Sequence, residues 1–168
     1  MSGRVVQISV SPGGVPKQPV PSARVTPDGL EGDRHRDLQH HGGPERAVCV
    51  FSMELIEALR AEGHPVVPGA LGENVTVEGV DWTALVPDAC FLVGDVLLQV
   101  TRYTTPCVNI TRAFAHGDIS RVSQTRHPGW SRVYTRVLRP GSIRVGDPVR
   151  LRSPEEAPQV RRGGEVRA

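Results

Sequence analysis

Cys90-Phe91-Leu92-Val93-Gly94-Asp95-Val96-Leu97-Leu98-Gln99-Val100-Thr101 reads as two apolar strands joined by a glycine-aspartate turn. A near copy of that turn returns at Val145-Gly146-Asp147-Pro148-Val149, so the same strand entry is used in two places. Working outward, Gly3 to Val10 alternates as a strand until Ser11-Pro12-Gly13-Gly14 breaks it, and Pro16 to Pro21 reads as a loop or edge segment. Val20 to Thr26, Ala47 to Phe51, Asn74 to Val77 and Trp130 to Leu138 add strands, and Ile143 with Val149 to Leu151 completes the set. One helix is clear: Ser52 caps it, Leu55, Ile56 and Leu59 form its apolar face, and Gly63 stops it. Asp81 to Leu85 fits a single helical turn. Many short strands spaced by turns, with few helices, predict a mainly β fold, a closed or nearly closed β-barrel with short peripheral α-helices. The βαβ rhythm of a parallel sheet, G-x-G-x-x-G and a Walker loop are absent from the pattern.

The 168 residues suit one domain with its own core, drawn here at 1–152 with a mobile tail over 153–168. Eighteen glycines and fifteen prolines keep elements short. Three cysteines without C-x-x-C spacing argue against a disulfide framework and a cysteine zinc site, and no leader or membrane span is expected, which together predict the cytoplasm. Residues 28–101 carry thirteen acidic side chains against four arginines, whereas residues 102–152 carry ten arginines against two aspartates. That polarity suits either mutual attraction within one fold or arginines gathered around an anion. Tyr103, Trp130 and Tyr134 are too scattered for a nucleic-acid stacking platform.

Three stretches hold chemistry. In Thr101-Arg102-Tyr103-Thr104-Thr105-Pro106-Cys107-Val108-Asn109-Ile110, a cysteine follows a proline after a strand. Apolar Val108, Ile110, Ala113 and Phe114 predict a short helix from Cys107 to Ala115, with Cys107 in its first turn, where free N–H groups favour a thiolate. Composition alone balances a reactive sulfur against a small buried core residue. Glu31 to Arg46 packs histidines, arginines and Gly42-Gly43 into one polar loop; glycine backbone and arginine forks suit an anion, while H-E-x-x-H is missing and zinc is disfavoured. Gly69 to Gly79 sets Glu73-Asn74 at the mouth of a strand, where Asn74 serves either a ligand or a turn. Cys49 and Cys90 read as core, His64 and His116 as surface residues near helix ends, and His127 is undetermined.

In this order, Gly32-Asp33-Arg34-His35, His41-Gly42-Gly43-Pro44-Glu45-Arg46-Ala47-Val48, Gly72-Glu73-Asn74-Val75-Thr76-Val77 with Gly79, Gly94-Asp95, and Thr101 with Cys107 resemble the MOSC domain, the C-terminal module of molybdenum cofactor sulfurases. The similarity runs from about Arg4 to Arg152 and is greatest to the small stand-alone bacterial members. It implies a β-barrel with peripheral helices. It also implies that Cys107 is the catalytic sulfur, either the thiolate ligand of a molybdenum cofactor (molybdopterin) or the carrier of a persulfide. Contacts to that cofactor are assigned by the resemblance to Asp33, Arg34, His35, His41, Gly42, Gly43, Arg46, Glu73, Asn74, Arg102 and Thr104. Amidoxime-reducing relatives reduce N-hydroxylated small molecules. They carry a further N-terminal domain for which this chain has no room, and an arginine directly before the cysteine, where Pro106 stands here. The implied partners are a small-molecule substrate and a separate electron donor or cysteine desulfurase, without nucleic acid or membrane; the oligomeric state stays open. A bare binding module for the cofactor or a pterin is the third reading.

Overall fold

The computed structural model describes residues 3–34, 42–153 and 155–156. Almost all of the expected tail lies outside the described residues, as do His35 and His41. The described residues form eleven strands: β1 (Gly3–Val10), β2 (Gln18–Val20), β3 (Ser22–Thr26), β4 (Gly29–Leu30), β5 (Val48–Ser52), β6 (Val75–Glu78), β7 (Cys90–Val93), β8 (Val96–Tyr103), β9 (Val133–Arg139), β10 (Gly141–Arg144) and β11 (Pro148–Leu151). Seven of them close into a barrel in the order β1-β11-β7-β8-β9-β5-β6, with β6 pairing back to β1. Closure leaves those seven strands without a free edge. β2 pairs on the outside of β1 as an edge strand, and β10-β3-β4 form a second, three-stranded sheet.

The hairpin Cys90–Tyr103 forms as its sequence predicts, with Val93 opposite Val96 and Cys90 opposite Gln99. Gly94 makes the turn at φ 55°, and an added Cβ there would stand 2.8 Å from the Asp147 carboxylate of the second Gly-Asp turn. The two copies of the motif therefore meet at one end of the barrel. The expected strand Val20–Thr26 is divided at Pro21: Val20 pairs with Ile8 in the barrel, while Ala23 pairs with Ile143 in the small sheet. Proline has no N–H for a ladder, and the chain changes sheet there.

One pairing departs from the expected absence of a βαβ rhythm. β5 and β6 run parallel, Val50 opposite Val75, with α1 (Met53–Ala61) on the connection between them, so a single βαβ unit is built into the barrel. Its signal was the continuous run Val48-Cys49-Val50-Phe51-Ser52, buried on both faces as strands of parallel pairs are. Ser52 caps α1 by accepting the Leu55 N–H at 3.3 Å.

Period-two alternation divides the core in two. Val48, Val50, Val75, Val77 and Val133 point into the barrel, with Phe91 and Leu98 from the opposite wall. The alternate face of β5 points outward: Phe51 joins Ile56 and Leu59 of α1, Val66, Leu71, Ile110 and Phe114 in a second apolar cluster. Each fully buried aliphatic or phenyl group contributes about 1.5–3 kcal/mol. That outer layer carries Cys107.

Candidate thiol site

β8 ends at Tyr103, and the segment after it is tied down by its backbone: the Thr104 N–H donates to the Arg132 carbonyl at 3.1 Å, and the Thr104 and Ser131 hydroxyls lie 3.4 Å apart. Cys107 follows in extended conformation (φ −130°, ψ 168°). It stands immediately before a 3₁₀ helix, Val108–Ala113, instead of inside the first turn of an α-helix as its sequence suggests. The apolar spacing serves the tighter helix equally: Ile110 and Ala113, three apart, are its buried pair. Cys107 is half-buried and makes no side-chain capping bond.

Its thiol opens on a cavity of about 190 Å³. The cavity lies between the outer wall of the barrel and the segments that cover it. Cys49 on β5, Tyr134 on β9 and Asn74 before β6 supply that wall; Leu71, Thr105, Asn109 and Ile110 belong to the covering segments. Four cationic side chains border it: Lys17, Arg34, Arg46 and Arg132. Gly42 and Gly43 take φ 84° and 81° and lead into the 3₁₀ turn Pro44–Arg46. That turn is held on the barrel by the Thr101 hydroxyl, which donates to the Glu45 carbonyl at 2.5 Å, and by an Arg136–Glu45 ion pair. The Arg46 guanidinium consequently stands over the Tyr134 ring, 5.8 Å from its centroid.

The other implied contacts separate into cavity residues and supports. Arg34 reaches the cavity, anchored through its N–H to the Ser11 carbonyl at 2.8 Å. Asp33 is a support. Its buried carboxylate receives the Ser11 N–H at 2.9 Å, the Lys17 ammonium at 2.6 Å and the Asn74 amide at 2.8 Å. Asn74 borders the cavity, yet its carboxamide also accepts the Cys49 N–H at 3.1 Å and donates to the Ser9 carbonyl at 3.3 Å, linking β1, β5 and β6. Glu73 is fully buried and turned to its own loop, accepting the Gly69 N–H at 2.6 Å and the Leu71 N–H at 3.2 Å; burial holds its carboxyl above the usual range. Arg102 is exposed on β8, and Thr104 is buried against Ser131. Neither Glu73, Arg102 nor Thr104 borders the cavity.

Four ionisable cavity residues escaped the sequence reading: Lys17, Cys49, Arg132 and Tyr134. Period-two alternation held the signal for three of them. Core-facing Val133 and Thr135 put Arg132 and Tyr134 on the opposite face of the chain, and core-facing Val48 and Val50 do the same for Cys49. Arg132 is 6% exposed, donates through one guanidinium nitrogen to the Leu71 carbonyl, and has a buried Nε with no hydrogen-bond partner. Burial pushes the Cys49 thiol up to about 11 and the Tyr134 phenol up to about 12, so both keep their protons at neutral pH. Among the described residues, no three His, Cys, Asp or Glu side chains converge as a metal cluster.

A cation-bordered cavity with one half-buried cysteine, on the outer wall of a barrel with one βαβ insertion, defines the class. Residues 37–150 match the MOSC domain, and the chain belongs to that family. It is 32% identical over 143 residues to the uncharacterized protein YflK of Bacillus subtilis, and 31% identical over 128 residues to protein YiiM of Escherichia coli. These matches cover 83% and 73% of this chain but 63% and 56% of the relatives, so the chain spans about three-fifths of their length. A Gibberella moniliformis protein named a reductase is 35% identical over 129 residues, 73% of this chain and 22% of that protein. The crystal structure of YiiM from Geobacillus stearothermophilus superposes with TM-score 0.70 at 25% identity, covering 90% of this chain and 75% of that one. YiiM from Escherichia coli gives 0.66 at 27% identity, with 91% and 70% covered.

Proposed function

We propose that this protein binds a molybdenum cofactor through the Cys107 thiolate and reduces N-hydroxylated small molecules with it. The observation that carries the reading is the pairing of one accessible thiol with four cationic side chains on one cavity. The donor set fits such a group. A thiolate is a soft ligand for a thiophilic metal, arginine forks match a phosphate, and the buried Arg132 Nε lacks an acceptor that an anion would supply. Family membership and the reductase name of one relative agree with it.

Within this reading Cys107 is the metal ligand, and the metal supplies two-electron chemistry when bound. Arg34 and Arg46 hold the anionic end; Gly42 and Gly43 do not border the cavity and lead into the turn that carries Arg46. Lys17 and Arg132 lie deeper, Lys17 paired with the buried Asp33 carboxylate and Arg132 near the buried Glu73. The Tyr134 phenol, protonated at neutral pH, forms part of the cavity wall beside Arg46. A separate donor delivers the electrons. The test is reduction of a hydroxylaminopurine by cofactor-loaded protein with an artificial electron donor: wild type turns over and Cys107→Ala does not. Equal rates in the two would reject the assignment.

The lack of a side-chain capping bond on the Cys107 sulfur favours a second reading, a persulfide carrier fed by a cysteine desulfurase. Intact-mass analysis after incubation with desulfurase and cysteine would place one added sulfur on Cys107. Labelling of Cys49 in its stead would remove this reading.

A further inference from the structure

Helix α1 ends in a geometry that fixes the residue after it. Gly63 takes φ 97°; its N–H donates to the Arg60 carbonyl at 2.9 Å, and the His64 N–H reaches back to the Leu59 carbonyl at 3.1 Å. This pair of bonds is the Schellman termination. The sequence places His64 at the surface, but here its side chain is only 12% exposed. The ring stands edge-on to Phe114, with centroids 5.3 Å apart. There His64 Nδ1 accepts the Ala115 N–H at 3.1 Å. An accepting imidazole nitrogen carries no proton, so the ring proton belongs on Nε2, which faces the Glu62 carboxylate at 3.7 Å. Ala115 directly follows Phe114, the residue closing the 3₁₀ helix that begins after Cys107. Within that helix Asn109 and Ile110 border the cavity, and Ile110, Ala113 and Phe114 pack on α1.

We propose that His64 is the positioning residue of the thiol site: its neutral ring clasps the Val108–Phe114 segment to the end of α1, and protonation releases it. The inference concerns where the sulfur is held and stands whatever the sulfur binds. A protonated ring has two N–H donors and no acceptor, so the Ala115 N–H would face another N–H and lose its partner in a half-buried layer. Glu62 lies on the Nε2 side and is held by Arg121 through bonds of 2.9 and 2.7 Å. Arg121 is itself stacked 3.7 Å from the centre of the Trp130 ring. The other charged groups in electrostatic reach of this cluster are Asp118 and His127.

Two measurements test it. In wild-type protein followed by NMR through an acid titration, the Ala115 amide resonance shifts together with the His64 ring resonances. Asparagine at position 64 presents an amide oxygen near the place of Nδ1 and does not titrate. Cys107 modification by dithiodipyridine is therefore read as the ratio of wild-type to His64→Asn rates at each pH, which cancels the ionisation of the thiol itself. The ratio stays near one at neutral pH and rises severalfold in acid as the wild-type segment opens. A flat ratio, or an Ala115 amide that ignores the ring titration, overturns the proposal. Should His64→Asn fail to fold, the wild-type amide titration decides alone.

Discussion

Two sulfurs share one cavity, and their surroundings divide their chemistry. Cys107 follows a strand in extended backbone with no capping bond, whereas Cys49 is enclosed by β5 and its thiol is pushed up to about 11 by burial. A neutral thiol is a poor nucleophile and a poor ligand. Brief treatment with iodoacetamide at neutral pH should therefore modify Cys107 first and leave Cys49 and Cys90 unmodified in folded protein. Peptide mapping reads this directly, and equal labelling of Cys49 would contradict the division. Asp33 supports a different prediction. Its carboxylate is the buried partner of Lys17 at 2.6 Å and also holds the Asn74 amide. Removing one charge of a buried pair strands the other, so Asp33→Asn should lower stability by about 3–5 kcal/mol in urea unfolding. Adding Lys17→Met should restore part of that loss. A double variant no better than the single would show that Asp33 acts mainly through Ser11 and Asn74.

Among the elements, α1 and the 3₁₀ helix after Cys107 are the pair that carries the site, and the sequence disclosed them unequally. Ser52, the Leu55-Ile56-Leu59 face and Gly63 are local signals, and each stands where it was expected. The segment after Cys107 gave the wrong helix type because spacings of three and four are nearly indistinguishable over six residues. The parallel pairing of β5 with β6 was missed because it depends on residues twenty-five apart, Val50 and Val75, which no local pattern joins. Gly63→Ala should cost about 1–2 kcal/mol, since φ 97° strains any side chain although no atom lies within 4 Å of the added Cβ. Gly29→Ala should cost more, because at φ 124° its Cβ would also stand 2.7 Å from the Ala47 carbonyl oxygen. Thermal unfolding of the two variants gives the order, and the reverse order would contradict the packing at the entrance to β5.

At the scale of the whole molecule, a closed or nearly closed barrel was legible from turn spacing, while its seven-strand order and the cavity were not. Its residues come from separate stretches, Lys17, Arg34, Arg46, Asn74, Cys107 and Arg132, that only the barrel wall and its covering layer bring together. Asp33 and Glu73, given as cofactor contacts by the family resemblance, brace loops and stand outside the cavity lining; polar groups that brace a loop and those that bind a ligand are of the same residue types. Global stability should show the buried thiol at alkaline pH. The Cys49 pKa is raised from 9.0 to about 11, so its contribution is full below pH 9 and is lost as pH rises through 11, about 2–3 kcal/mol in all. The alkaline decline in urea stability should be shallower in Cys49→Ala than in wild type; identical slopes would contradict the burial argument. The central claim is that Cys107 holds molybdenum in a cation-bordered cavity. Its most direct test is the metal content of protein made in a cofactor-competent host, wild type beside Cys107→Ala. Near-stoichiometric molybdenum in the wild type and little in the variant is the predicted result; no molybdenum in either, or equal amounts in both, would contradict the claim.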